Sequence, residues 1–258
     1  VLAVAIGVAA LLAACSSTVD GHPVGAPSGI TPTATSSVAT SATGDSIAPT
    51  SAAPTDAPAG SFVCPGTSAE PIVTCLQGSL SDVWSGLLNE AITQPTVLAP
   101  SPSQVPADCR GGLDVGTAFT CTSDSTLYVT SKFLTLIAGN FAGTDLGYAL
   151  AALQAHEMGH AVQYAVHQPS AEIPNPTDTQ SREFEQQADC LAGVWAHHVA
   201  ATGGLDVSHF VSVDYELISL ISSNREILTH GTPPERRGAV NRGLAGGRPQ
   251  DCKLATFH

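Results

Sequence analysis

Apolar positions along the chain follow two rhythms. In SLSDVWSGLLNEAI, residues 79–92, Leu80, Val83, Trp84, Leu87, Leu88 and Ile92 stand three and four apart and line one face of a helix. A longer helical stretch opens at Thr144 or Asp145, either of which can cap it. It runs through Leu146, Ala149, Leu150 and Leu153 to about His167, stopped before Pro169. After a loop rich in Pro and Thr, a second long helix is predicted from Arg182 to about Ala201, ended by Gly203-Gly204. A third follows from about Val207 to Ser222, with Asp206 as its cap. Between residues 111 and 131 the rhythm changes. GTAFTCT and STLYVTS are short β-branched and aromatic runs around a Ser-Asp turn, which predicts a small hairpin. Gln94 to Pro106 and the tail from His230 onward, rich in Gly, Pro and Arg, read as mostly irregular. The expected fold is α+β, mostly helical with a small hairpin or sheet.

Composition divides the chain before that domain begins. Residues 1–14, VLAVAIGVAALLAA, are apolar, too short to span a bilayer comfortably, and end in small residues, as the core of a signal peptide does. Leu12-Ala13-Ala14-Cys15 resembles a bacterial lipobox, in which Cys15 would be acylated and become the new N-terminus. The plainer alternative is an ordinary signal peptide that contains a Cys. Residues 16–61 are dominated by Ser, Thr, Ala, Pro and Gly and hold too little apolar surface to offset chain entropy, so a disordered tether is expected. The expected organisation is a signal peptide with lipobox over 1–15, a tether over 16–61 and a folded domain over 62–258. Such a chain would sit in the cell envelope at the outer face of the cytoplasmic membrane, held by its lipid or in part secreted. The net charge of −13 argues against nucleic acid or anionic lipid as an electrostatic partner.

Setting Cys15 aside leaves Cys64, Cys75, Cys109, Cys121, Cys190 and Cys252. An even number in an exported chain reads as disulfides. Short loops close at the smallest entropic cost, which favours Cys64–Cys75 and Cys109–Cys121 and leaves Cys190–Cys252. No Cys-x-x-Cys pair occurs, which disfavours a thiolate zinc site.

The chemistry is concentrated on the first long helix. His156 and His160 are four residues apart, on one face about a turn from each other, so both imidazoles can reach one tetrahedral ion. Glu157 lies beside the first, where it can act as general base toward water at the metal. An ordinary pair of core or surface histidines would also have to account for the match falling mid-helix, with Leu146, Ala149, Leu150 and Leu153 leading into it. A catalytic zinc keeps an open position and needs one more protein ligand. The string EFEQQADC offers Glu185 with Asp189 four residues on, among Ala188, Ala192, Gly193 and Ala196, a small-residue face suited to close packing. Glu185 is therefore the expected ligand of one zinc per chain, Glu183 its rival, and Asp189 the acceptor that orients a ligand imidazole. His230, on a Gly-bearing loop, is read either as a donor to the oxyanion of acyl transfer or as a cap on a backbone carbonyl. His167, His197, His198 and His209 read as surface residues.

HEMGHAVQ, EFEQQADCLAGVWA and THGTPPERR together resemble the signature blocks of a bacterial neutral zinc metallopeptidase family, in the same order and at similar spacing. The likeness extends from SDVWSGLL to DCKLATF, about residues 79 to 258. It implies a zincin-like fold with a glutamate as third zinc ligand, which supports Glu185 and Asp189 by position. It also implies paired cysteines where Cys109/Cys121 and Cys190/Cys252 stand, and look-alikes that are lipoprotein peptidases. Where the family carries a further His after its motif, this chain has Ala161. The reading is peptide-bond hydrolysis on a peptide or protein substrate, with the Leu127-Tyr128-Val129 strand aligning it by edge pairing. The rivals are a non-catalytic zinc lipoprotein used for binding and a zinc hydrolase of a non-peptide envelope amide.

Overall fold

Helix α1, Ala69–Leu88, buries Ile72, Val73, Leu76, Leu80 and Trp84 along one stripe, and the chain leaves it through Asn89 in the left-handed region at φ 52°. The computed structural model describes Phe62 and residues 64–254. The expected signal peptide, Cys15 and the tether lie outside the described residues. The helix starts ten residues before the predicted one, because Ile72, Val73 and Leu76 continue its apolar face upstream. Ile92 lies beyond its end and is tied back to it: Ser81 Oγ donates to the Ile92 carbonyl, and the Ile92 N–H donates to Ser85 Oγ.

The predicted hairpin is present as β2, Ala118–Cys121, and β3, Thr126–Val129, paired antiparallel. A third strand, β1, Thr96–Leu98, pairs parallel to β3 in the proline-rich segment expected to be irregular. The order is β1-β3-β2. Both sides of β3 are therefore occupied, so this strand cannot pair with a substrate as expected; the free edge on the hairpin side belongs to β2. Two short helices, α2 (Gly111–Val115) and α3 (Ser131–Asn140), flank the hairpin. Thr130 caps α3 by accepting the Phe133 N–H, and Phe133 and Ile137 anchor it in the core.

The two long helices are α4, Thr144–Ala165, and α5, Asp178–Ala201. Thr177 and Gln180 form a capping box at the start of α5, four residues before the predicted Arg182. Helix α4 is buried on most of its circumference and packs against α1, α5 and α6. Helix α6, Val207–Ile221, begins at its predicted cap, with Asp206 accepting the His209 N–H. A short helix, α7, spans Asn224–His230, and the tail from His230 onward, expected to be mostly irregular, forms α8, Pro233–Gly246. Thr232 and Glu235 form a capping box there, and Pro233 and Pro234 occupy first-turn positions that have no helical N–H to lose.

Two close approaches set where α5 lies. A Cβ at Gly159 of α4 would stand 2.9 Å from the Ala188 carbonyl oxygen of α5. A Cβ at Gly243 of α8 would meet the Cys190 carbonyl oxygen at 1.9 Å, and one at Gly193 would meet that of Val240 at 2.1 Å. Only bare backbone lets these helices touch. The Cys190–Cys252 disulfide ties α5 to the short turn 249–252 that follows α8, and Cys64–Cys75 and Cys109–Cys121 pair as expected. No helix among the described residues is long and apolar enough to cross a membrane.

Candidate metal centre

The α4–α5 crossing at Gly159 and Ala188 brings Glu185 opposite the two motif histidines. Glu185 Oε2 lies 3.2 Å from His156 Nε2 and 3.2 Å from His160 Nε2. The three ligand-type atoms all lie within 4.8 Å of one another, and the two rings are nearly perpendicular. Two imidazole nitrogens and a carboxylate oxygen converging on one point form a donor set that fits Zn²⁺. Glu183 points elsewhere: it is exposed and outside the cluster.

Each histidine is aimed by a partner on its other nitrogen. His156 Nδ1 meets Asp189 Oδ1 at 2.8 Å, and His160 Nδ1 meets Gln163 Oε1 at 2.8 Å. Donation from Nδ1–H to these oxygens leaves both Nε2 lone pairs facing the cluster. Gln163 is fully buried, and its amide donates to the Phe184 carbonyl and to Gln187 Oε1, binding α4 to α5. Sequence reasoning missed Gln163, although its place three residues after His160 puts it on the ligand face.

Asp189 is 2% exposed and carries a charge, so it needs more than one imidazole. Arg236 of α8 supplies the remainder: its Nε donates to Oδ2 at 2.9 Å and its Nη2 to Oδ1 at 2.7 Å. Burial pushes the Asp189 carboxyl up, but the Arg236 guanidinium, followed by His156, overrides it and holds the group down at about 2. Burial likewise pushes His156 down, and Asp189 with Glu185 reverses this to about 10. Glu185 is held well below the usual carboxylate range: burial raises it, and His160, His156 and His230 more than compensate. The sequence signal for Arg236 was its spacing to Ala239, Val240 and Gly243, which share its buried stripe.

Glu157 is 8% exposed and held from the sheet side. Thr120 Oγ1 of β2 donates to Glu157 Oε2 at 2.6 Å, and Gln94 Nε2 donates to Thr120 Oγ1 and to the Glu157 carbonyl. His230 is the last residue of α7, where a loop was expected. Its Nε2 stands 3.3 Å from Glu185 Oε2, and its Nδ1 lies 3.0 Å from Glu226 Oε2 and 2.9 Å from Thr229 Oγ1. Tyr164, one turn after His160, stacks edge-on against Phe184; burial first, then the charges of Glu185 and Glu157, raise its phenol. Beside the cluster lies a cavity of about 280 Å³ that His156, Glu157 and His230 line together.

The remaining histidines divide. His167 is exposed, as expected. His197 and His198 are half-buried and bond the Leu244 and Gly247 carbonyls at the end of α8. His209 stacks on Tyr148 and reaches Asp145 at 2.7 Å. Helix-end carbonyls need such donors, which is why His197 and His198 are not free surface residues.

A His-Glu-x-x-His helix facing a carboxylate of a neighbouring helix is the arrangement expected of a zinc-binding hydrolase site. The family described as "Putative neutral zinc metallopeptidase" matches residues 28–214, and the chain belongs to it. That description implies zinc as the cofactor, which the donor set of His156, His160 and Glu185 fits. Among curated proteins, the chain is 28% identical over 161 residues to "Uncharacterized protein YpfJ" of Escherichia coli strain K12, and equally to that of Escherichia coli O6:H1. The alignment covers 56% of this chain and 56% of each relative, so the chain spans about half the length of the curated relatives it matches. No solved structure matches.

Proposed function

We propose that the chain is a zinc-dependent peptidase, anchored outside the cytoplasmic membrane through an acyl group on Cys15. The observation that carries this reading is the convergence of His156 Nε2, His160 Nε2 and Glu185 Oε2 on one point, with Glu157 on the same cavity wall. His156, His160 and Glu185 would hold one zinc, and Asp189 would keep His156 in the ligating tautomer. Zinc bound there supplies Lewis acidity toward a carbonyl and toward water.

Glu157 takes the proton from the attacking water and returns it to the leaving amine. Its bond from Thr120 occupies Oε2, so Oε1 is the oxygen left for that exchange. His230, held at Nδ1 by Glu226 and Thr229, turns Nε2 toward the cluster, and in the doubly protonated ring Nε2–H donates to the oxyanion. An extended substrate pairs with the free edge of β2, whose Ala118 lines the cavity.

Glu157→Gln tests the reading. The amide keeps shape and reach but cannot accept the proton, so zinc content and folding should stay normal while peptide hydrolysis falls about a hundredfold to ten-thousandfold. Zinc by elemental analysis and peptide cleavage by mass spectrometry measure both. A zinc-loaded wild type that cleaves nothing in a broad peptide library would refute the peptidase assignment.

A further inference from the structure

One carboxyl in the cavity has no task in the chemistry described above. Asp214, on α6, lines the cavity and is 7% exposed. Its Oδ2 is covered from solvent without a hydrogen-bond partner, and among the described residues neither of its oxygens takes part in a hydrogen bond. Buried carboxyls are normally paired. Asp189 shows the contrast on the same wall, because it holds both Arg236 and His156. The guanidinium is therefore already committed, and Asp214 is left for an incoming group.

We propose that Asp214 makes this cavity the pocket for a basic side chain, Lys or Arg, next to the scissile bond; this rests on the peptidase reading. Four carboxylates line the cavity, Glu157, Asp189, Asp214 and Glu226, against one guanidinium, Arg236, and the imidazoles of His156 and His230. That imbalance favours a cation. The cavity also has apolar lining, with Leu217 and Ile218 one turn along the same helix as Asp214, and Phe133 and Leu153 from α3 and α4. A long aliphatic stem packs on such walls while its charged head reaches a polar group. The volume of about 280 Å³ suits one long side chain; drug-sized ligands take roughly 300–1,000 Å³. Burial, then the neighbouring Asp189, pushes the Asp214 carboxyl up to about 7, as befits a group without its counter-charge.

The test uses the zinc-loaded full chain and a set of peptides identical except for Lys, Arg, Gln, Met or Leu at one position beside the cleaved bond. Lys and Arg peptides should be cleaved with kcat/KM at least about tenfold above the Met peptide. Asp214→Asn should lose that preference while keeping zinc and cleavage of the Met peptide. Equal use of basic and apolar residues, better use of Gln, or a preference that survives Asp214→Asn would overturn the pocket assignment and leave the peptidase reading standing. Absence of any cleavage would overturn both. Should Asp214→Asn fail to fold, the wild type decides: Nα-acetyl-lysinamide should inhibit at least about tenfold better than Nα-acetyl-norleucinamide, and equal inhibition would refute the proposal.

Discussion

Glu183 and Glu185 are two residues apart on one helix, and only one can face α4. A two-residue step turns a helix by about 200°, so Glu183 emerges in solvent while Glu185 meets both histidines. Glu185→Ala should therefore lose most of its zinc by elemental analysis, and Glu183→Ala should keep it. The reverse result would mean the wrong carboxylate has been chosen. Asp214 carries a second prediction. Its pKa of about 7 is raised from an ordinary value near 4 by burial and by Asp189, with Arg236, His156 and Arg237 opposing. Between those values the folded state holds a proton that the unfolded chain has released. The stability this linkage contributes is fully present below about pH 4 and is lost as pH rises through about 7. Asp214→Asn lacks the linkage. In urea unfolding at fixed zinc, wild type should lose stability relative to Asp214→Asn between about pH 4 and about pH 7, by a few kcal/mol at most. A constant difference would show that the group does not titrate there.

Helix α8 delivers Arg236 to Asp189, and it can do so only because α5 and α8 touch through glycines. Its buried stripe is Arg236, Ala239, Val240, Gly243 and Leu244, which offers little hydrophobic contrast. A chain of small residues and prolines looks irregular by periodicity, although close packing needs the small residues and the first turn tolerates the prolines. Two alanine substitutions separate these roles. Gly243→Ala drives a methyl into the Cys190 carbonyl and should destabilise by about 1–3 kcal/mol. Gly238→Ala, in the same helix with nothing within 4 Å, should stabilise by about 0.5–1 kcal/mol. Urea unfolding of the two variants measures both signs. A neutral Gly243→Ala would mean that the two helices can part at little cost.

For the whole molecule, the site is an assembly of distant segments. Its metal-facing atoms come from α4 and α5, its orienting groups from α4, α5, β2 and α8, and its cavity walls include α3, α6 and α7. The Cys190–Cys252 bridge ties α5 to the turn that follows α8 across a sequence separation of 62. The proposed anchor belongs to this scale as well, because it decides where the assembled site works. Metabolic labelling with a fatty acid should mark the wild-type chain and be lost in Cys15→Ser. Label that persists in the variant would remove the lipoprotein proposal.

What the sequence alone determined is local. Helical periodicity put His156 and His160 on one face, capping residues set the start of α6, and the spacing of cysteines favoured two short-range bridges. Each of these follows from interactions within a few turns or a short loop. Tertiary structure decided which carboxylate of α5 faces the histidines, that β3 is central and β2 an edge, and that the tail forms α8. It also decided the partners of the working groups. Thr120 reaches Glu157 across 37 positions and Arg236 reaches Asp189 across 47. Periodicity tells which side of an element is buried but not what lies against it; that depends on where bare backbone at Gly159, Gly193 and Gly243 lets helices meet.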